Sequence, residues 1–202
     1  MSSGLGALLL LAACFTAGGA RGLEAPGQPG SLAGQLLVAA PEMRDPRFVQ
    51  TVIYMVKHDA SGAMGLIVNR RLGDAPLADL VTRLGLDAAG VSGAIRVHYG
   101  GPVQPQRGFV LHGPDYAGDS TEAVDARFSV TYEPGILRAI GLGQGPRQAL
   151  FALGYAGWGP GQLEDEIARG AWISVPADPG IVFDDSYADK WDRAMALRRI
   201  RL

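Results

Sequence analysis

The chain has a single cysteine, Cys14, in 202 residues. One thiol excludes an intramolecular disulfide and any zinc cage built on cysteines. Histidine is scarce too: His58, His98 and His112 are the full set, and no His-x-x-x-His or His-Glu-x-x-His spacing occurs. Each reads as a structural histidine at a strand end, so no metal and no cofactor is expected. A basic excess is missing, with 18 Lys and Arg against 20 Asp and Glu. Neutralising phosphates supplies much of a DNA reader's affinity, and nothing resembles a helix-turn-helix, so no specific nucleic-acid binding is expected. The apolar run Ala7–Phe15 is far shorter than the about 20 residues of a membrane-spanning helix. Walker-type, Gly-x-Gly-x-x-Gly and Gly-x-Ser-x-Gly patterns are all absent.

What the chain does have is the composition of one folded domain with a real core: 48% apolar and 19% charged residues. Its N-terminus stands apart. Ala7–Phe15 followed by Ala17-Gly18-Gly19-Ala20 has the apolar stretch and small-residue cleavage region of a secretory signal. Leu11-Ala12-Ala13-Cys14 resembles a bacterial lipobox and makes Cys14 the lipidation candidate. No Lys or Arg precedes Leu8, so the charged start of such a signal is missing. Cleavage near Ala20 and retention of the leader therefore stand beside lipidation as alternatives. The chain divides into a signal segment 1–20, a Gly/Pro-rich linker 21–34 and a domain 35–202.

Within the domain, Leu36–Ala40, Thr51–Val56 and Gly65–Val68 read as strands, the last two joined by the hairpin turn Asp59-Ala60-Ser61-Gly62. Leu77, Leu80, Val81 and Leu84 form a helical stripe between Pro76 and Gly85. Ile95–Tyr99, Phe109–His112 and Phe128–Tyr132 are short strands, and Glu133–Leu142 is a helix. Ala149–Tyr155 is continuously apolar, as a central strand is. A helix follows over Pro160–Arg169, then strands at Trp172–Val175 and Ile181–Phe183, then a helix from Tyr187 to Ile200. Strands and helices mix without strict alternation, so the expected class is α+β in a single domain.

The candidate chemistry is sparse. The glycine-rich stretch Gly154–Gly161 has the strand, turn and helix start of a phosphate loop. Yet Glu164, Asp165 and Glu166 fill that helix start and would repel an anion. Close packing around Tyr155 and Trp158 is the better reading, with Gly157 and Gly159 intolerant of a β-branched side chain. Ser61, His58 and Asp59 share one turn, whereas a triad needs groups converging from separate elements. Asp184 and Asp185 read as helix caps. Asn69-Arg70 ends a strand and offers a polar tip, with return to solvent as the plainer account. The last helix sets Lys190, Arg193, Arg198, Arg199 and Arg201 beside Trp191, Met195, Leu197 and Ile200, a pattern shared by membrane-surface helices and by core-docked helices with a solvated charged face.

Three motif blocks carry a resemblance. The first runs from Leu36–Pro41 through Asp45-Pro46-Arg47-Phe48 to Gly62–Arg70. The second is Gly100-Gly101-Pro102-Val103 with Arg107–His112, and the third is Gly154–Glu164 with Ala171-Trp172. In this order they resemble the AlgH/YqgE family of bacterial proteins, over roughly residues 35–200. The resemblance implies an α+β fold whose strongly bent sheet approaches a barrel. It implies no known biochemical activity; the label of transcriptional regulator attached to the family finds no counterpart in a reading helix here. Family members begin near the position of Gln35 and look cytoplasmic, whereas the leader predicts the cell envelope or periplasm. The expected function is a non-catalytic binding or regulatory domain acting through a protein partner, with membrane attachment only through Cys14. Asn69, Arg70, His112, Tyr155, Trp158 and Gln162 form the candidate ligand or partner surface. The rival is an enzyme or small-ligand binder using the Gly-rich loop and the strand-end histidines.

Overall fold

A computed structural model describes residues 30–200, without the side chains of 199 and 200. The signal segment, Cys14, residues 21–29 and Arg201 lie outside the described residues. The core is one ten-stranded sheet, curled into a half-barrel and flanked by short helices. β1 (Gln35–Ala39), β2 (Val52–Asp59) and β3 (Gly62–Ile67) form an antiparallel meander, with the expected hairpin turn between β2 and β3. β4 (Arg71–Pro76) leads into α1 (Leu77–Arg83) and returns to pair with β5 (Ala94–Tyr99). β6 (Val103–His112), β7 (Thr121–Ala123), β8 (Ser129–Thr131) and α2 (Gly135–Gly141) precede the long β9 (Ala149–Trp158). α3 (Gln162–Ala168), β10 (Trp172–Pro176), α4 (Pro179–Val182), α5 (Lys190–Ala196) and a 3-10 turn (Leu197–Ile200) complete the chain.

The sheet is buried on both faces, which explains its continuous apolar strands. Leu36, Val38, Val52 and Tyr54 face the concave core, where α4 and α5 pack. Their neighbours Leu37, Ala39, Ile53 and Met55 face an outer core shared with Leu163 of α3. Further along, Val110 and Phe151 meet Leu77, Val81, Ile136 and Leu137 of α1 and α2 in a third core. Arg127 near β8 donates to the Ala177 carbonyl at 2.6 Å, and Phe128 and Phe183 pack at 5.5 Å between centroids. These contacts draw the two ends of the strand order together.

β9 is the pivot. β5 pairs with it in parallel (Val97 opposite Phe151) and β6 antiparallel (Phe109 opposite Ala152). A strand has two edges, so the connection Gly100-Gly101-Pro102 must pass across it. A Cβ on Gly101 would lie 2.1 Å from the Tyr155 carbonyl carbon, and one on Gly154 would lie 2.4 Å from the Gly101 oxygen. Gly100 is bonded on both sides, donating to the Leu153 carbonyl and accepting from Ile67 N.

Several expectations are corrected. Gly154–Trp158 is strand, and only Gly159–Gly161 turns into α3. Ile181–Phe183 is not a strand: Asp178 accepts from Gly180 N at 2.7 Å and Pro179 opens α4 there. β4 and β7 are extra edge strands, one broken by Gly73 and ending at Pro76, the other only three residues long. Asp184 and Asp185 are ion-pair partners rather than caps, holding Arg193 and Arg96 respectively. The last helix docks on the core with Lys190 wholly buried, while Arg198 stays exposed. Residues 31–34, read as the end of the linker, are tied down: Ser31 Oγ donates to the His58 carbonyl at 2.9 Å and Leu32 N to His58 Nδ1 at 3.1 Å.

Candidate functional site

Residues from all three motif blocks meet in one cleft of about 310 Å³. Its first wall is the loop between β1 and β2. Asp45 accepts from Arg47 N at 2.9 Å and pairs with the Arg47 guanidinium, an Asx-type turn that sets up Phe48. The Arg47 hydrogen bonds hold the Asp45 carboxyl below its ordinary value. Asn69 and Arg70 fasten the far end of the loop. Asn69 Oδ1 accepts from Val52 N at 2.9 Å and its Nδ2 donates to the Gln50 carbonyl at 2.8 Å. Arg70 Nη2 donates to the Val49 carbonyl at 3.2 Å and to Thr51 Oγ1 at 3.1 Å. Between these anchors Gln50 adopts φ 52°, a left-handed conformation that needs such support. Asn69 and Arg70 thus position the loop, and neither lines the cleft.

The second wall is aromatic. Phe48 meets Trp172 edge-on at 5.6 Å, and Trp172 meets Trp158 edge-on at 5.9 Å. Both indole N–H groups donate to one oxygen, Glu166 Oε2, at 3.0 Å from Trp158 and 2.7 Å from Trp172. Gln162 Nε2 donates to Glu166 Oε1 at 2.9 Å, while its own Oε1 accepts from Gly159 N at 3.1 Å and closes the turn. Burial alone would raise the Glu166 carboxyl, but the bonds from Trp172, Gln162 and Trp158 and the nearby Arg169 hold it below its ordinary value. Pro102 and Val103, delivered by the crossing over β9, form the remaining side.

Of the candidate surface, Trp158 and Gln162 line this cleft, and Tyr155 and His112 do not. Tyr155 packs edge-on against Phe109 at 5.8 Å in the concave core. His112 pairs with Ala149 at the other end of β9, about 30 Å of strand from Trp158. It is buried, with Nδ1 against the Gly113 carbonyl at 2.7 Å and Nε2 against Thr131 Oγ1 at 2.9 Å. Phe48, Glu166 and Trp172 belong to the site and are not among the six residues of the candidate surface. Phe48 and Trp172 stood in the motif blocks, whereas Glu166 looked like a dipole partner of its helix.

The histidines occupy three separate environments. His58 Nδ1 accepts from Leu32 N, so its Nε2 carries the proton and donates to Glu164 Oε1 at 2.8 Å. Among the described residues no three His, Cys, Asp or Glu side chains gather as a metal site. His98 is 1% exposed, lies 5.5 Å from the Tyr187 ring, and its Nδ1 has no hydrogen-bond partner among the described residues. Burial, with Lys190 and Arg96 nearby, lowers its pKa to about 4. The unfolded chain therefore takes up this proton first as pH falls. His98 contributes stability that is fully present above about pH 6.5 and lost between there and about pH 4, on the order of 3 kcal/mol. Urea unfolding midpoints measured over that window should fall steeply for the wild type, and His98→Leu should flatten the slope. An unchanged slope in the variant would contradict this.

The comparisons with known proteins address the same motifs. Residues 36–202 match the family described as AlgH-like. The chain belongs to that family. A UPF0301 protein of Rhodospirillum rubrum is 46% identical over 166 residues, which cover 82% of this chain and 86% of the relative. One from Gluconobacter oxydans is 49% identical, covering 81% and 89%. Among solved structures, AlgH from Pseudomonas aeruginosa superposes with a TM-score of 0.70 at 39% identity, covering 84% of this chain and 90% of that one. A protein of Corynebacterium diphtheriae shares the fold at TM-score 0.63 and 24% identity, covering 82% and 85%. The AlgH-like assignment fixes the α+β half-barrel and the single domain. The relatives' names describe no reaction.

Proposed function

We propose that this AlgH-like protein is a non-catalytic binding domain that engages a protein partner through the Phe48–Trp158–Trp172 cleft. One observation carries this reading: the polar groups of the cleft are spent on each other. Glu166 takes both indoles and the Gln162 amide, and Asp45 takes Arg47. A carboxylate so committed is a poor general base, while the aromatic edges and the Arg47 stem offer contact area at little entropic cost. A cleft walled by three aromatic side chains with one arginine, Arg47, beside them has the make-up of a binding hot spot.

The test is photocrosslinking in the source cells. A photoreactive residue in place of Met43, on the cleft wall, should capture one discrete protein, and the same residue in place of exposed Gln148, at the opposite end of β9, should not. With both proteins purified, Phe48→Ala should weaken the complex at least tenfold, as about 2 kcal/mol for a central aromatic implies. Equal capture from both positions, or an affinity unchanged by Phe48→Ala, would overturn the reading.

A further inference from the structure

The cleft leaves one motif unexplained, Arg107-Gly108-Phe109-Val110, and this segment builds a second concavity, over the third core. β6 pairs Val103 with Tyr155 and Gly108 with Leu153, so residues 104–107 bulge away from β9 and Gln104 takes φ 48°. The bulge forms the lip of a groove of about 520 Å³ that opens into the third core under α1 and α2. Val97, Val110, Phe151 and Leu153 make the floor, and Leu80 and Leu84 make the α1 wall. Gly108 is required for that floor: the Phe151 ring lies across it, 2.4 Å from where a Cβ would be. Leu84 is 47% exposed at the rim, a large apolar residue left open to solvent over about half its surface.

Charge at the mouth selects the occupant. Arg83 and Arg107 both line the groove, and neither has a carboxylate partner among the described residues. Arg107 is held by the rings of Phe109 (5.3 Å) and Tyr132 (5.9 Å), and its one side-chain bond among the described residues is a long 3.4 Å contact to Gln104. Most of its five donors are therefore open, in a fork preset for a carboxylate. Exposed Glu133 is the one acidic residue of the rim and leaves a net positive mouth. Apolar walls, a volume within the range of small-ligand sites and two guanidinium groups at the entrance define an amphiphile with an anionic head. We propose that this groove binds a single-chain aliphatic carboxylate, with the alkyl chain on Phe151 and Leu153 and the head between Arg83 and Arg107. The site is independent of the aromatic cleft.

Titration of the full-length protein with dodecanoate, kept below its aggregation concentration and followed by calorimetry, tests this. Saturable binding at one molecule per chain is expected, at least tenfold tighter than that of neutral dodecanol. The double variant Arg83→Gln, Arg107→Gln should lose at least tenfold in dodecanoate affinity and leave dodecanol unchanged. Leu84→Asp should weaken both ligands. All three positions are exposed, so melting midpoints should match the wild type and separate lost binding from lost fold. Failure to saturate, whether because the chain's own apolar leader or a partner's segment fills the groove, overturns the proposal. So does equal affinity for dodecanol, or a double variant that binds dodecanoate like the wild type.

Discussion

Alanine at position 190 is expected to cost about 3–5 kcal/mol of stability, the range for breaking a buried charged cluster by removing one partner. Lys190 is wholly buried, and its ammonium donates to the carbonyls of Val182 (3.0 Å), Asp184 (3.2 Å) and Val68 (3.4 Å). The Asp184 carboxylate lies 3.4 Å away and the Tyr187 ring centroid 4.9 Å. Burial pushes the Lys190 pKa down, and Asp184 partly restores it. The ammonium therefore ties α5, the segment after α4 and the end of β3 into one unit. Lys190→Ala strands three carbonyls in the core and opens a cavity; Lys190→Met retains the stem and should cost less. Because a domain of this kind holds only about 5–15 kcal/mol in total, the alanine variant should show a large drop in its urea midpoint. A midpoint within error of the wild type would show that the ammonium is not a structural tie.

This residue also marks where sequence reading stops. Amphipathic periodicity located the last helix, but it ranks a lysine as solvent-facing, since an ammonium is almost never fully buried unless partnered. The partners here are backbone carbonyls from residues 68 and 182–184, which leave no trace in a sequence pattern. The strands that were legible, such as β1, β2 and β9, are buried on both faces and read as continuous apolar runs. Those missed, β4 and β7, are edges whose exposed residues carry no such signal. The same division holds at the cleft. Trp158 and Gln162 announced themselves in a glycine-rich block, whereas Glu166 gains its role only when β10 returns Trp172 beside β9. Asn69 and Arg70 were conspicuous, but as anchors of a loop some 20 residues earlier in the chain.

Alanine at Gly101 is expected to prevent folding or to cost more than about 4 kcal/mol, among the largest single-residue effects. Two constraints act together. The backbone there has φ 150°, which L-residues rarely adopt. A Cβ would also stand 2.1 Å from the Tyr155 carbonyl carbon and 2.3 Å from both the Tyr155 oxygen and Ala156 N. All three are backbone atoms of the central strand, so relief requires prising the crossing away from β9, and with it the Gly100 bonds to Leu153 and Ile67. Gly159 provides the contrast. The expected intolerance there concerns a β-branched side chain; a lone Cβ has Gln162 Oε1 at 4.0 Å as its nearest neighbour, so Gly159→Ala should stay within about 0.5 kcal/mol of the wild type. At Gly157 a Cβ would meet the edge of the Tyr155 ring at 3.0 Å and a Val103 methyl at 3.6 Å, side chains that can shift where a strand cannot. Thermal melts of the three alanine variants should therefore rank Gly101 far below Gly157, and Gly157 at or below Gly159. A folded Gly101→Ala protein melting near the wild type would mean that the chain does not cross β9 in backbone contact. The shared architecture of the aromatic cleft and the carboxylate groove would then need another origin, because both Val103 and the Arg107 bulge reach their sites through that crossing.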